Sequence, residues 1–177
     1  MGINHIALAV KDIEATHRFY TEAMGFTLEK VEIANMRNGK ARHAFYSTGS
    51  SNDQMIAFWD LRDVPGVDDY ETDISRGLGL DPFVNHLAFQ ADSLDDLASK
   101  RQRWLDHGID VIEIDHNWVQ SIYAEDPDGN VVEFAIVTEA FTDADRVEAL
   151  ELLRADDPPY SAPPTVTRHD AAPSAPG

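Results

Sequence analysis

The sequence predicts an α+β fold in which two βαβββ modules share one core. A strand-like segment with a histidine in its third place, "INHIALAV" from Ile3, recurs without gaps as "VNHLAFQA" from Val84. A helical pattern follows each copy, and three strand-like runs follow each helical pattern. Such repeated units are expected to pack with pseudo-symmetry, which would bring equivalent positions of the two first strands toward one axis.

The first module spans residues 1–61. Its helix is predicted in "IEATHRFYTEAMGF", where Gly25 suits a left-handed helix end. Three strands follow, in "FTLEKVEI", "ARHAFYST" and "QMIAFWDL", and "NGK" is a hairpin turn signal between the first two. Residues 62–82 form a polar, glycine-bearing connection, long enough to act as a lid or rim.

The second module, residues 83–138, repeats this order. Ser93 is the predicted N-cap of a helix that ends at Gly108. Its three strands are predicted in "IDVIEID", "VQSIYAE" and "NVVEFAIV", and "PDGN" is the turn signal before the last one.

Two further segments follow the modules. Residues 139–154 predict a helix with a capping box at Thr142 and Asp145, which would dock on its own module or on a partner. Residues 155–177 hold six of the nine prolines and few apolar side chains. This composition is typical of a disordered or wrapping tail.

Composition excludes several classes of function. The chain has no cysteine, so disulfides, thiolate nucleophiles and cysteine-based metal sites are excluded. A net charge of −18 disfavours nucleic acid and anionic lipid as partners. No segment reads as a membrane span or a secretory signal. A cytoplasmic location and a small-molecule substrate are therefore expected.

Three polar side chains stand inside apolar strands, and together they predict a metal site. His5 and His86 are equivalent under the repeat, while Glu133 lies within the apolar run "VVEFAIV". Two imidazoles and one carboxylate form a facial triad that suits Fe(II), and also Mn, Co, Ni or Zn. The alternative is three separate residues, each satisfied by its own hydrogen bond.

Residues 1–138 resemble the vicinal oxygen chelate superfamily, most clearly in "INHIALAVKDIEATHRFY", "VNHLAFQADS" and "SIYAEDPDGNVVEF". That superfamily contains glyoxalase I, extradiol dioxygenases, fosfomycin-resistance transferases, methylmalonyl-CoA epimerase and bleomycin-binding proteins. The resemblance implies an incomplete mixed-sheet barrel around a metal cavity. It carries the metal-ligand roles onto His5, His86 and Glu133.

The resemblance also bears on the reaction. Glyoxalase I and the epimerases usually supply a fourth ligand, a glutamate, at the position that Ala57 occupies here. Three ligands fit the dioxygenase and fosfomycin branches better and favour Fe(II). In both of these branches the position of Tyr123 often carries a tyrosine that hydrogen-bonds a metal-bound substrate oxygen; the alternative is a packed aromatic.

Dioxygenases usually carry a further histidine just before the last strand of the first module, where this chain has Asp53 and Gln54. His116 is then the candidate proton donor, and His43 is a second one, although either could lie on the surface or in a hairpin. Aromatic side chains are predicted to form an apolar substrate wall or, alternatively, ordinary core: Phe45, Trp59, Phe89, Trp118 and Phe134. Trp59, Phe45, Trp118 and His43 are the predicted substrate-binding residues.

Three functions remain open from the sequence. The first is an Fe(II) ring-cleaving dioxygenase of catechol-like substrates. The second is a lyase or isomerase that uses the metal as a Lewis acid, and the third is a metal-free drug-binding protein. By analogy the chain is expected to form a homodimer, with the metal site either within one chain or shared by two.

Overall fold

The computed structural model describes residues 2–49 and 54–173 and contains two open sheets. The four-stranded sheet, called sheet A, has the order β1-β4-β3-β2, and the five-stranded sheet B has the order β5-β8-β7-β6-β9. The strands of sheet A are β1 (His5–Val10), β2 (Thr27–Met36), β3 (Gly39–Ser47) and β4 (Met55–Asp63). The strands of sheet B are β5 (His86–Gln90), β6 (Val111–Asp115), β7 (Val119–Glu125), β8 (Val131–Val137) and β9 (Thr165–His169). The predicted α+β fold of two βαβββ modules is confirmed.

In each module the first strand runs parallel to the last, and the other neighbours are antiparallel. The helix between the first two strands supplies the crossover that a parallel pair requires. In the first module it is α1 (Ile13–Arg18), capped by the carboxylate of Asp12 and continued by a π-helical turn over Phe19–Ala23. In the second it is α3 (Leu94–Asp106), capped by Ser93 as predicted.

Both crossover helices end as the sequence indicates. Gly25 has φ of 77° and Gly108 has φ of 75°, a left-handed backbone that glycine adopts without the steric cost of a Cβ. At Gly25 the guanidinium of Arg103 from α3 also lies where a Cβ would project. The helix end of one module is therefore in close contact with the helix of the other.

One hydrophobic core serves both modules and lies on the helix-covered side of each sheet. Tyr20 packs on Phe58 with ring centroids 4.4 Å apart, and Phe26 packs on Phe89 of the second module at 5.0 Å. Trp104, fully buried on α3, contacts Phe134 of β8. Because the shared core lies on this side, the opposite faces of sheets A and B are left open.

Buried polar contacts also join the modules at the β7–β8 turn. The Tyr20 hydroxyl donates to Asp126 over 3.0 Å, and the backbone N–H of Lys11 donates to Asp128 over 2.8 Å. Burial raises the pKa of the Asp126 carboxyl to about 6. The predicted turn "PDGN" thus has a second function as a link to the first module.

Between the modules, the connection contains a short helix, α2 (Ile74–Gly77). Tyr70 in this connection donates its hydroxyl to the Val10 carbonyl over 2.8 Å, so the segment is held against the end of β1. Its predicted role as a lid or rim stays a prediction.

The helix after the second module is α4 (Asp143–Arg154), and its capping box of Thr142 and Asp145 is confirmed. None of its residues is buried, and Val147, Leu150 and Leu153 are exposed. The helix therefore does not pack on its own module, and docking on a partner stays a prediction. No helix in the described ranges is long and apolar enough to cross a membrane.

The structure differs from the expected tail disorder at "TVTRH", which forms β9 and pairs antiparallel with β6. The Nε2 atom of His169 lies 2.8 Å from Glu113 Oε2, and Arg101 contacts the same carboxylate. Asp110 accepts the backbone N–H of Ala171 over 2.8 Å. These contacts and the β-branched residues of the segment outweigh the proline-rich flanks.

Candidate functional site

The open face of sheet B carries two of the three predicted ligands. Residues paired across neighbouring strands share a face. Glu133 is paired with Ala88 on β5 and with Tyr123 on β7, and His86 lies two residues before Ala88. The His86 Nε2 atom is 3.0 Å from Glu133 Oε2. Glu133 is only 5% exposed, so a carboxylate is held on a largely desolvated strand beside an imidazole.

The other nitrogen of His86 determines what this pair can bind. Nδ1 is 2.9 Å from the Phe83 carbonyl oxygen, which can only accept, so Nδ1 carries the proton. In the neutral ring, Nε2 then presents a lone pair to the carboxylate. Two electron-pair donors at this separation require a cation between them, either a proton or a metal ion. A backbone carbonyl that orients the imidazole is also the usual second contact of a metal-binding histidine.

Tyr123 and His116 extend the cluster. The Tyr123 hydroxyl is 3.1 Å from His116 Nε2, and its ring lies edge-on to His86 with centroids 6.1 Å apart. Burial raises the pKa of the Tyr123 hydroxyl to about 12, and the charge of Glu133 contributes to the rise. The structure thus brings together four predicted site residues: His86, Glu133, Tyr123 and His116.

The open face of sheet A is aromatic. His43 stacks on Trp59 with ring centroids 3.7 Å apart and lies 4.1 Å from Phe45. The His5 ring is 5.6 Å from Phe45, and its Nδ1 is 2.8 Å from Asn4 Oδ1. Burial, and then the charge of His5, lower the pKa of His43. Its buried Nε2 has no hydrogen-bond partner among the described residues.

The strand register confirms which residue is equivalent to Glu133. Ala57 is paired with Ala7, two residues after His5, and Glu133 is paired with Ala88, two residues after His86. Sheet A thus has alanine at the position where sheet B has its carboxylate.

His5 does not join His86 and Glu133 within one chain. It lies on the open face of sheet A, whereas the other two lie on the open face of sheet B, and both faces are turned away from the shared core. Over residues 2–49 and 54–173, no three His, Asp or Glu side chains are grouped closely enough to hold a metal ion. The triad stays a prediction, and a site within one chain does not form in this structure.

Three predicted wall residues lie elsewhere. Trp118 contacts Phe141, and Phe89 and Phe134 pack into the shared core. Successive side chains of a strand point to opposite faces. Phe89 and Phe134 are each adjacent in sequence to a residue on the open face, so they face the core. Asp53 lies outside the described residues. Two further groups were not predicted from the sequence. The Phe83 carbonyl belongs to the backbone, so no side chain indicates its role. Arg168 on β9 was assigned to the tail.

Comparison with known proteins agrees with this architecture. The model of the Glyoxalase/Bleomycin resistance protein/Dioxygenase superfamily matches residues 2–134. The chain belongs to this superfamily. The match ends within β8, so α4 and β9 lie outside it. No curated protein matches the chain.

Solved structures of the superfamily share its fold. A glyoxylase/bleomycin resistance protein/dioxygenase domain from Frankia sp. EAN1pec has a TM-score of 0.59 at 20% identity, covering 77% of this chain and 98% of its own. A lactoylglutathione lyase from Agrobacterium tumefaciens has a TM-score of 0.52 at 20% identity, with 76% and 92% covered. An antibiotic binding protein from Streptomyces sp. CB03234 has a TM-score of 0.50 at 18% identity, with 76% and 93% covered. At these identities the likeness concerns the fold alone.

Proposed function

We propose that the chain is a metal-dependent oxidoreductase, best described as an Fe(II) ring-cleaving dioxygenase acting on a catechol-like substrate. The observation that carries the proposal is the pair of His86 Nε2 and Glu133 Oε2, 3.0 Å apart, with His86 Nδ1 engaged by a backbone carbonyl. The pair has the donor types and the imidazole orientation that a divalent metal requires.

The third ligand in this proposal is His5 of a second copy of the chain. Each open face carries only part of the ligand set. A symmetric homodimer would place each face of one copy against the complementary face of the other. The exposed position of His5 leaves it available for such a contact. When bound, Fe(II) would supply Lewis acidity and a common site for substrate and O2.

The protein side chains would manage protons and exclude water. With a pKa of about 12, the Tyr123 hydroxyl stays protonated at neutral pH and can donate to a substrate oxygen. His116 Nε2, 3.1 Å away, can exchange a proton with that hydroxyl. On sheet A, the aromatic surface of Phe45 and Trp59 favours a flat ring.

Complementation between variants tests the shared metal site. His5→Ala and Glu133→Ala homodimers should each fail to bind Co(II) tightly. Mixed dimers should regain one intact site of two, which gives about a quarter of the wild-type binding capacity after random exchange. Mixing His86→Ala with Glu133→Ala is the matched control, because both ligands come from one chain and every site should lose at least one of them. If Co(II) binding recovers in neither mixture, the proposed sharing of the metal site between two chains is wrong.

Oxygen uptake tests the reaction. The Fe(II)-loaded protein should consume O2 with a catechol and incorporate both oxygen atoms while one ring C–C bond breaks. If the protein binds metal tightly but takes up no O2 with any of a panel of catechols, lyase or isomerase chemistry with the metal as a Lewis acid is favoured. Ala57 is an argument against that alternative, because it stands where such enzymes usually have a fourth metal ligand. If the purified protein takes up less than about a tenth of an equivalent of metal, the aromatic face of sheet A would favour a metal-free drug-binding protein.

A further inference from the structure

Arg168 on β9 lies on the same open face as the candidate site. The register runs from Arg168 to Ile112 on β6, to Tyr123 on β7 and to Glu133 on β8. Residues paired in this way share one face of a sheet. Strand β9 therefore places a cationic residue on the face that carries Glu133 and Tyr123. This strand lies outside the part of the chain that the superfamily model matches.

Arg168 borders a cavity of about 350 Å³ that Tyr123 also lines. The apolar wall of this cavity includes Phe83, Ile109 and Ile112. Phe83 contacts Tyr123 with ring centroids 5.4 Å apart, and its carbonyl holds His86. Phe83 thus lines the cavity and also contacts His86, one of the candidate metal ligands.

The Arg168 side chain is exposed and forms no ion pair or hydrogen bond with another described side chain. The two carboxylates that line the same cavity are already engaged. Glu125 is paired with Arg76 over 2.7 Å, and Asp110 accepts the backbone N–H of Ala171 over 2.8 Å. A chain with a net charge of −18 repels anions over most of its surface, so an unpaired arginine beside this cavity is a local point of attraction for an anion.

The spacing suits a small aromatic acid. Three strand spacings of roughly 4.8 Å put the backbone of Arg168 about 14 Å from that of Glu133. An arginine side chain bent toward Tyr123 would span roughly half of that distance, which would leave room for one ring and a short carboxylate-bearing substituent. A guanidinium binds a carboxylate through two parallel hydrogen bonds, so it would select both charge and orientation.

We infer that Arg168 is a specificity-determining residue that binds the carboxylate of an aromatic acid substrate. This inference rests on the proposed function for the position of the reacting end of the substrate. It names the substrate class as a catechol with a short anionic side chain, and it assigns a role to the tail strand β9.

The test compares binding of 3,4-dihydroxyphenylacetate with that of its neutral amide, by calorimetry, on metal-free and Co(II)-loaded full-length protein. The acid should bind about tenfold to a hundredfold more tightly than the amide. Arg168→Gln should abolish this preference, and Arg168→Lys should keep part of it. Arg154→Gln on α4 changes the net charge equally at an exposed position and should keep the full preference. Thermal unfolding of each variant verifies folding.

Equal binding of acid and amide by the wild-type protein would overturn the inference, as would an unchanged preference in Arg168→Gln. Co(II) binding is measured separately, so the two proposals can fail separately. A protein that binds no Co(II) but discriminates through Arg168 would contradict the metal-dependent function and support the anion site. Tight Co(II) binding without discrimination would overturn the anion site alone.

Discussion

Sheets A and B share the order of their four module strands and have related sequences, yet their open faces differ in chemistry. Sheet A presents the aromatic surface of His43, Phe45 and Trp59, while sheet B presents the polar cluster around His86 and Glu133. Their strands keep the same register, with a histidine at the start of the first strand and the equivalent position of the last strand occupied by Ala57 or Glu133. The two faces thus differ in chemistry although the first and last strands of each module are paired in the same way.

In the proposed metal site, neither face carries a full set of metal ligands by itself. A histidine without a carboxylate cannot hold a hard cation tightly, and a His–Glu pair leaves most coordination positions open. The aromatic face has the surface to bind a ring but lacks the acid that would hold a metal ion. In the proposed homodimer each site combines one face of each kind.

The largest effect is expected at the carboxylate that distinguishes sheet B. Glu133→Gln keeps the shape of the side chain but removes its charge, and an amide is a poor ligand for a divalent metal. Since changes around a ligand already weaken metal binding about 10–100-fold, we expect Co(II) affinity to fall by at least about 100-fold.

Calorimetric titration with Co(II) measures that loss. Glu32→Gln is the matched control on sheet A, where Glu32 lies opposite His43 and forms an exposed ion pair with Lys30. A loss of similar size in both variants would show that net charge, and not the position on sheet B, determines affinity.

A second prediction concerns Asp126, which joins the two modules and so their two faces. Its folded-state pKa of about 6 lies above the ordinary value of 3.8 for an aspartate, so the folded chain holds the proton more strongly than the unfolded chain. The free energy of unfolding should therefore fall by about 3 kcal/mol in total as pH rises from well below 4 to well above 6. In Asp126→Asn this component of the pH dependence should disappear.

Urea unfolding at pH 4.5 and pH 7.5 measures this difference in the free energy of unfolding. A difference of about 1 kcal/mol is large enough to detect. Asp157→Asn, at an exposed position of the tail, controls for the change in net charge. The interpretation fails if Asp126→Asn keeps the pH dependence of the wild-type protein.

The smallest effect is expected when the missing carboxylate is restored to sheet A. Ala57 is fully buried, so Ala57→Glu should lower the free energy of unfolding of the metal-free protein by about 1–3 kcal/mol. The register places the new carboxylate relative to His5 as Glu133 stands relative to His86, so added Co(II) should recover part of the loss.

Ala57→Gln provides the matched control, with the same volume and no charge. Melting temperatures with and without Co(II) compare the two variants. If Co(II) raises both melting temperatures equally, the new carboxylate does not act as a ligand, and the equivalence of the two faces is limited to the backbone.

Most of the fold could be predicted from the sequence because its signals are local. The repeat, the caps at Ser93 and Thr142, and the glycines at 25 and 108 each specify a nearby turn or helix end. The proximity of His86, Glu133 and Tyr123 follows from strand alternation within one module. Whether His5 reaches them depends on how the modules pack, which local patterns do not encode.

Other points could not be decided from local patterns. For Phe89 and Phe134 the sequence left both a substrate wall and ordinary core packing open, and each is one residue away from an open-face position and so faces the core. "TVTRH" was assigned to a disordered or wrapping tail because prolines surround it, whereas a five-residue strand needs only a free sheet edge to pair with. That edge is created by the fold and is not visible in the segment itself.

The position of β9 has a practical consequence for any shortened form of this protein. The strand occupies the outer edge of sheet B, where β6 would otherwise present a free row of N–H and C=O groups beside Val111, Ile112 and Ile114. Free apolar edges recruit other strands and cause aggregation, whereas a short edge strand that ends in Arg168 and His169 is a poor template. A chain cut after Arg154 would be expected to self-associate through β6, and oligomers formed in that way would not represent the assembly of the full-length protein.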